Sequence, residues 1–292
     1  MSRFWVFLKL SGVHLPARLP KATGSLRRLI LCWFGLNEYL QPRALAKARI
    51  QIRKRMNLFA GNTGLEATPQ TQSRALDWHR IDTVLLDMDG TLLDLHFDNH
   101  VWDTVVPKAY AAHLNIPAHR AQMLIQARVN AVTGTIPFYS FAHWHDYTGL
   151  DIVALHRLAA RLIGFRPGAE NFLSTLRKRG KRVIIATNAD RQCLGVKDEV
   201  LAISNCVDQV ISSHDFGIPK EQQAFWQALQ DTTSFDPTRT LFVDDTHRVL
   251  DAASQFGITE TWAVSNPDSK RPPKQQDAYP SLNHFDEICP SR

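Results

Sequence analysis

The sequence predicts an α/β fold: a doubly wound parallel-sheet (Rossmann-like) core with a helical cap inserted after the first strand. Two observations predict it. Short aliphatic runs at 81–86, 181–186 and 240–243 each end in polar residues, as buried parallel strands do. About ninety residues separate the first run from the second, far more than a βα connection needs, so we expect a folded insertion between them.

The turn after the first predicted strand is the most informative segment. Asp87 and Asp89 follow the strand at 81–86, and Gly90 closes the turn. The two aspartates stand two positions apart, so in extended geometry their side chains leave on the same side. Ligands of open α/β sheets bind beyond the carboxyl ends of strands, so this pair can flank one ligand. The alternative is an Asx turn that only ends the strand.

Three later segments supply groups that phosphate chemistry uses. The second strand ends in Thr187 and Asn188, whose hydroxyl, amide and backbone N–H groups can bind phosphate oxygens. A turn delivers Lys220, which can neutralise a phosphate or a nucleophile, and the third strand closes on Asp244 and Asp245, ligands suited to magnesium. Each segment has a structural alternative: the Thr-Asn and Asp-Asp pairs could cap helices, and the lysine could be a solvated surface charge.

In this order, the four segments resemble the motifs of the haloacid dehalogenase superfamily of aspartate-nucleophile phosphatases, over the chain from about residue 76 to its end. The resemblance implies that Asp87 is the nucleophile and that Asp89 is the general acid and base. It also implies phosphate binding by Thr187, Asn188 and Lys220. Dehalogenases lack the second aspartate of the first motif, so Asp89 favours phosphoryl transfer.

The same resemblance implies a magnesium (Mg2+) cofactor. The ion would be held by the carboxylate of Asp87, the main-chain carbonyl of Asp89 and the carboxylate of Asp244. Asp245 would bind it directly or through water. Many family members carry a further Asp or Asn where this chain has Val249, so we expect metal binding to depend on the other acidic residues.

The insertion is predicted to form a helical cap over the site. Helix-compatible patterns occur at 109–114, 120–132 and 155–163, with few strand signals. Such a cap would exclude water and contact the part of the substrate beyond the phosphate. It contains a cluster of aromatic residues with His143 and His145 between them: Phe138, Tyr139, Phe141, Trp144 and Tyr147. These rings could pack the cap's own core or form a wall against a nucleobase.

Further segments resemble the purine 5′-nucleotidases of this superfamily: residues 95–99 with Trp102, 147–152, 219–221, 266–269 and 280–283. This resemblance implies a cytoplasmic, magnesium-dependent enzyme whose substrate is a purine nucleoside 5′-monophosphate, GMP or IMP. Asp98 and Asn99, just beyond the catalytic turn, are candidate substrate contacts, as are Tyr139 and Trp144 of the cap. Alternatively, Asp98 and Asn99 could cap the first cap helix.

Two other functions stay open at this point. The same fold hosts phosphatases and phosphomutases of sugar phosphates and other small metabolites, which a readout of free phosphate would separate. A catalytically silent relative could instead bind a nucleotide for regulation. The presence of both Asp87 and Asp89 argues against the silent binder, since binding alone does not require both acids.

The net charge of +6 is unevenly distributed. Residues 1–80 contain ten Arg and four Lys against three acidic residues, giving +11, so the remaining chain carries −5. An acidic core without a basic stripe predicts no nucleic-acid partner, and the sequence does not identify a protein partner. The four cysteines have no paired spacing, which favours neither a zinc site nor disulfides and suits a reducing cytoplasm.

The predicted domains are a basic N-terminal extension at 1–75, a phosphatase core at 76–98 and 164–292, and the cap at 99–163. The apolar runs of the extension, at 4–8 and 29–34, are shorter than the ~20 residues of a membrane span, so no transmembrane segment is expected. Four interpretations are open: a membrane-surface segment, an organellar transit peptide, a partner-binding arm, or upstream sequence wrongly included before a start at Met56. Intact-mass analysis of the native protein would distinguish the last from the others.

Overall fold

The computed structural model describes residues 76–273 and 278–290, so the predicted basic extension lies outside the described residues. Its centre is a parallel sheet with six strands: β1 Thr83–Leu86, β2 Arg182–Thr187, β3 Gln209–Ser212, β4 Thr240–Asp244, β5 Glu260–Val264 and β6 Ser281–Leu282. The strand order is β3-β2-β1-β4-β5-β6. The predicted doubly wound α/β fold is therefore confirmed.

The three aliphatic runs form the middle of this sheet. All residues of β1 and β4 are buried, which explains why these strands carry continuous apolar runs without alternation. Along β1, Val84 and Leu86 join one apolar layer and Leu85 joins the layer on the opposite face. Both faces of the sheet are thus covered, as the doubly wound arrangement requires.

The register brings the predicted functional residues to one edge. Leu86 pairs with Ile185 of β2 and with Val243 of β4. The residues that follow each strand, and the last residues of β2 and β4, therefore lie together at the carboxyl edge of the sheet. The strand order reverses between β1 and β4, and such a reversal opens a crevice at this edge.

The insertion between β1 and β2 is helical. Its helices are α1 His96–His100, α2 Val106–Leu114, α3 Ala118–Val132, α4 Ile136–Tyr139, α5 Phe141–Thr148 and α6 Ile152–Leu158, with a π-helical turn at Val101–Val105 joining α1 to α2. The helices predicted at 109–114 and 120–132 are confirmed with earlier starts. The helix predicted at 155–163 was placed too late, because Asp151 caps α6 by accepting a hydrogen bond from the Ala154 N–H at 2.9 Å.

Helix α5 was not predicted, because its aromatic residues obscure the helical period. Ser140 begins it by accepting a hydrogen bond from the His143 N–H, and Gly149 ends it at φ +71°. The helical insertion after the first strand is confirmed, whereas the exact borders between core and cap stay a prediction.

The remaining helices flank the sheet: α7 Ala169–Lys178, α8 Arg191–Leu201, α9 Ser213–Phe216, α10 Gln223–Thr233 and α11 His247–Phe256. Short 3-10 turns lie at Trp78–Arg80, Ala160–Leu162, Ile203–Cys206, Pro237–Arg239 and Phe285–Glu287. Throughout the described part of the chain, every helix is too short or too polar to span a membrane.

Candidate active site

The turn after β1 is held by backbone hydrogen bonds and by one glycine. The Asp87 N–H donates to the Val243 carbonyl at 3.0 Å, and the Leu93 N–H closes the turn on the Met88 carbonyl at 2.8 Å. Gly90 has φ +82°, and a Cβ added there would lie 2.9 Å from Cγ of Asp245. Glycine is therefore required both by the backbone conformation and by the close approach of a carboxylate.

Lys220 joins the predicted nucleophile to the predicted metal ligand. Its Nζ donates to Oδ1 of Asp87 at 2.6 Å, to Oδ2 of Asp244 at 2.8 Å and to the Ala186 carbonyl at 3.0 Å. These bonds use all three N–H groups of the ammonium. Lys220 is only 2% exposed, so the interpretation of this lysine as a solvated surface charge is wrong.

The carboxylates of Asp87 and Asp244 and the ammonium of Lys220 are buried together, and both the burial and the neighbouring charges shift their pKa values. Burial raises the pKa of Asp87 to about 7, against the opposing charge of Lys220 and with a further contribution from Asp244. Burial likewise raises the pKa of Asp244 to about 6. Burial lowers the pKa of Lys220, but the two carboxylates outweigh it and hold that pKa above its usual range. With both aspartates ionised the site carries excess negative charge, which favours binding of a cation.

The acidic cluster comprises Asp87, Asp244 and Asp245, each of which offers one carboxylate oxygen within 4.8 Å of the others. Oxygen donors at this spacing fit a hard divalent cation such as Mg2+. The interpretation of Asp244 and Asp245 as an N-cap pair is wrong, because the N-cap of α11 is Thr246. Val249, where many relatives carry a further acid, is buried in the apolar layer beneath.

The end of β2 provides polar groups beside this cluster. Thr187 and Asn188 are both buried, and neither caps α8, whose N-cap is Asp190. The Asn188 amide oxygen accepts the Lys220 N–H at 3.0 Å, while its amide nitrogen donates to Glu221 at 3.1 Å. The backbone N–H of Lys220 is thereby fixed relative to the end of β2.

Asp89 is paired with a lysine that sequence reasoning missed. Lys197 of α8 donates from Nζ to Oδ1 of Asp89 and, at 2.7 Å, to Oδ1 of Asp98. Burial raises the pKa of Asp89 to about 6, Asp98 adds to the shift, and the Lys197 charge opposes it. One signal was available in the sequence: Lys197 shares the buried stripe of α8 with Cys193 and Leu194, where a lysine is unusual.

Two candidate substrate residues lie inside α1. Asp98 receives the Lys197 hydrogen bond described above, and the Asn99 amide donates to Oδ2 of Asp268 at 2.7 Å. Neither residue is the N-cap of α1, which is Leu95, so the capping interpretation is wrong. Both side chains connect the insertion to the core. Their substrate-binding role stays a prediction.

The other two candidates lie in the insertion. Tyr139 reaches the core, where its hydroxyl donates to Oε1 of Glu221 at 2.9 Å. Trp144 is 2% exposed and donates its indole N–H to the Phe138 carbonyl at 2.8 Å. For Trp144 the structure favours the interpretation that the ring packs the insertion's own core.

Comparisons with known proteins identify the family of this chain. Residues 81–257 match the haloacid dehalogenase-like hydrolase family, and the chain belongs to this family. The GMP/IMP nucleotidase YrfG of Escherichia coli (strain K12) is 40% identical over 214 residues, covering 73% of this chain and 96% of that protein. The protein of the same name from Shigella flexneri matches to the same extent. The chain is therefore a phosphoric monoester hydrolase.

A solved structure supports the fold independently. The haloacid dehalogenase phosphatase of Thermococcus onnurineus matches with a TM-score of 0.59 and 17% identity, covering 71% of this chain and 96% of that one. At this identity the likeness concerns the fold alone.

Proposed function

We propose that this protein hydrolyses the 5′-phosphate of purine nucleoside monophosphates, GMP and IMP, in a magnesium-dependent reaction through an aspartyl phosphate. The observation that carries the substrate class is the 40% identity to a GMP/IMP nucleotidase across 96% of that protein's length. The chemistry is supported by Asp87, which directly follows β1 at the carboxyl edge of the sheet and accepts a hydrogen bond from Lys220 on one of its two oxygens.

In the first step, the free carboxylate oxygen of Asp87 attacks phosphorus as the bond from phosphorus to the nucleoside oxygen breaks. Asp89 donates a proton to the departing oxygen, which becomes the nucleoside 5′-hydroxyl. Thr187, Asn188 and Lys220 bind the phosphoryl oxygens during transfer. The hydrogen bonds around the end of β2 hold Thr187 and Asn188 in place. The Lys220 ammonium must turn one of its three N–H groups from its present acceptors to the phosphoryl group.

In the second step, a water molecule attacks the phosphorus of the aspartyl phosphate while Asp89 takes up its proton, and phosphate leaves with the Asp87 carboxylate restored. Asp87, Asp244, Asp245 and the Asp89 carbonyl would hold Mg2+. The bound ion would supply positive charge against the phosphate and the acidic cluster.

The insertion would bind the nucleoside. Tyr139 of α4 donates to Glu221, which also accepts a hydrogen bond from Asn188, so α4 is connected to a proposed phosphate-binding residue. We also propose a cytoplasmic location, which is supported by the free thiols of Cys193, Cys206 and Cys289, since reduced cysteines are usual in that compartment.

The test is release of phosphate from a panel of nucleoside 5′-monophosphates and sugar phosphates, with Mg2+ or with EDTA. We expect GMP and IMP to give the highest kcat/KM and EDTA to abolish release. Asp87→Asn should abolish turnover, whereas Asp231→Asn, an exposed position on α10, should not.

Three results would contradict the proposal. A sugar phosphate as the best substrate would reject the substrate class. Retained turnover in Asp87→Asn, with deamidation excluded by mass, would reject the nucleophile. Tight nucleotide binding without phosphate release would identify a silent regulator.

A further inference from the structure

Three separate elements meet at the Lys197 ammonium. Asp89 comes from the turn after β1, Asp98 from α1 at the start of the insertion, and Lys197 from α8 after β2. Both ion pairs are made by the same Nζ atom. Lys197 thus connects the predicted acid-base residue to the first helix of the insertion.

The burial of Lys197 makes this contact specific. The side chain is 1% exposed, against 20% for Asp89 and 15% for Asp98. Burying an ammonium is costly unless it is paired and hydrogen-bonded, so such a lysine is held in place by its partners. Its Nζ also lies 5.6 Å from the centroid of the Phe97 ring, a further favourable contact for a cation.

This geometry determines how Asp89 can face a substrate. Lys197 engages Oδ1 of Asp89, and no residue within the described ranges donates a hydrogen bond to Oδ2. Oδ2 is therefore the oxygen left to exchange a proton with a leaving group or a water. Asp98 accepts a second hydrogen bond from the same ammonium. The neighbouring Asn99 donates a hydrogen bond to Asp268 in the loop after β5, which fixes α1 against the core. The position of the lysine therefore depends on α1.

We propose that Lys197 is a positioning residue for proton transfer: it holds the Asp89 carboxylate with Oδ2 toward the substrate, and Asp98 makes that orientation depend on α1 of the insertion. This inference rests on the proposed function, in which Asp89 is the general acid and base. It also implies that Asp98 binds Lys197 and does not contact the substrate.

The test compares two phosphate esters that differ in their need for an acid. The 5′-oxygen of GMP must be protonated as it leaves, whereas p-nitrophenolate leaves without a proton. For each substrate kcat/KM reports the steps up to phosphoryl transfer. We expect Lys197→Met to lower kcat/KM for GMP about 100-fold, the order of magnitude of general acid catalysis, and to lower that for p-nitrophenyl phosphate by less than about fivefold. Lys197→Arg should restore part of the loss, and Asp98→Asn should give a smaller loss of the same kind.

The ratio of the two kcat/KM values separates positioning from misfolding. A lower fraction of folded enzyme reduces both values equally and leaves the ratio unchanged. Lys108→Met, on the exposed face of α2, is the matched control and should leave both values at the wild-type level. Equal losses on the two substrates in Lys197→Met would overturn the proposal, as would wild-type values on both.

Asp89→Asn distinguishes failure of this inference from failure of the proposed function. One outcome is a leaving-group dependence in Asp89→Asn, a greater loss of kcat/KM for GMP than for p-nitrophenyl phosphate, while Lys197→Met lowers both equally. In that case Asp89 is the acid and Lys197 does not position it. If Asp89→Asn shows no such dependence, the acid role itself is wrong, and the positioning role falls with it. If GMP is not a substrate, the alkyl phosphate that the panel identifies takes its place in the same comparison.

Discussion

Replacement of Lys220 by methionine would test the charge balance of the active site. The substitution keeps the length of the side chain and removes the ammonium that lies 2.6 Å from Asp87 and 2.8 Å from Asp244. At an effective dielectric constant of about 20, each of these contacts has a gross Coulomb energy of about 6 kcal/mol. The net loss is smaller, because the variant no longer desolvates a lysine and one carboxyl group can take up a proton.

We expect Lys220→Met to lower the free energy of unfolding by about 3–5 kcal/mol, the range for breaking a buried ion pair. For a folded unit of roughly 200 residues this corresponds to a melting temperature lower by about 6–20 °C. Mg2+ should reverse part of the loss, because the three carboxylates of the acidic cluster then have no competing lysine. Turnover should fall by about 100-fold, because the variant lacks the ammonium that stabilises the negative charge of the phosphoryl group.

The assay is thermal denaturation of the wild type, Lys220→Met and Lys108→Met across a Mg2+ titration, together with phosphate release. Lys108→Met removes an exposed lysine and should have the melting temperature of the wild type. If Lys220→Met had the same melting temperature as the wild type in EDTA, the reasoning would be refuted, because the lysine would then not stabilise the two buried carboxylates.

Three further predictions concern the turn, the insertion and the pH dependence. Gly90→Ala should raise the Mg2+ concentration needed for half-maximal phosphate release, because its Cβ would displace the acidic cluster; Gly180→Ala, also at positive φ but with open space around it, should not. Tyr139→Phe should lower kcat/KM up to about tenfold through loss of its hydrogen bond to Glu221, and unchanged kinetics would contradict this. Burial lowers the pKa of His156 to about 4. Between pH 6.5 and 4 the unfolded chain therefore binds a proton at this histidine that the folded chain does not. The wild type should lose up to about 3 kcal/mol of its free energy of unfolding as the pH falls. Urea unfolding of the wild type and of His156→Gln measures this difference.

Much of the fold was predictable from local sequence. Buried strands such as β1 and β4 must be apolar on both faces, and their continuous aliphatic runs made them visible. Polar residues at the ends of buried strands are conspicuous, so Asp87 and Asp244 could be proposed as part of a site before their contacts were known. Lys220 was proposed from the turn at 217–220 and not from a strand end.

Partners that are distant in the sequence could not be predicted in the same way. Lys197 lies 108 residues from Asp89 and 99 residues from Asp98, and Tyr139 lies 82 residues from Glu221. The period of a helix shows which of its faces is buried, but the contacts of that face depend on how helices pack against the sheet. The sequence alone therefore determined the central strands β1, β2 and β4, the polar residues at their ends and the two acids of the first motif. It did not predict β3, β5 and β6. Only the tertiary structure decided that Asp89 and Asp98 share one buried lysine, because that contact exists only when α1, α8 and the turn after β1 are packed together.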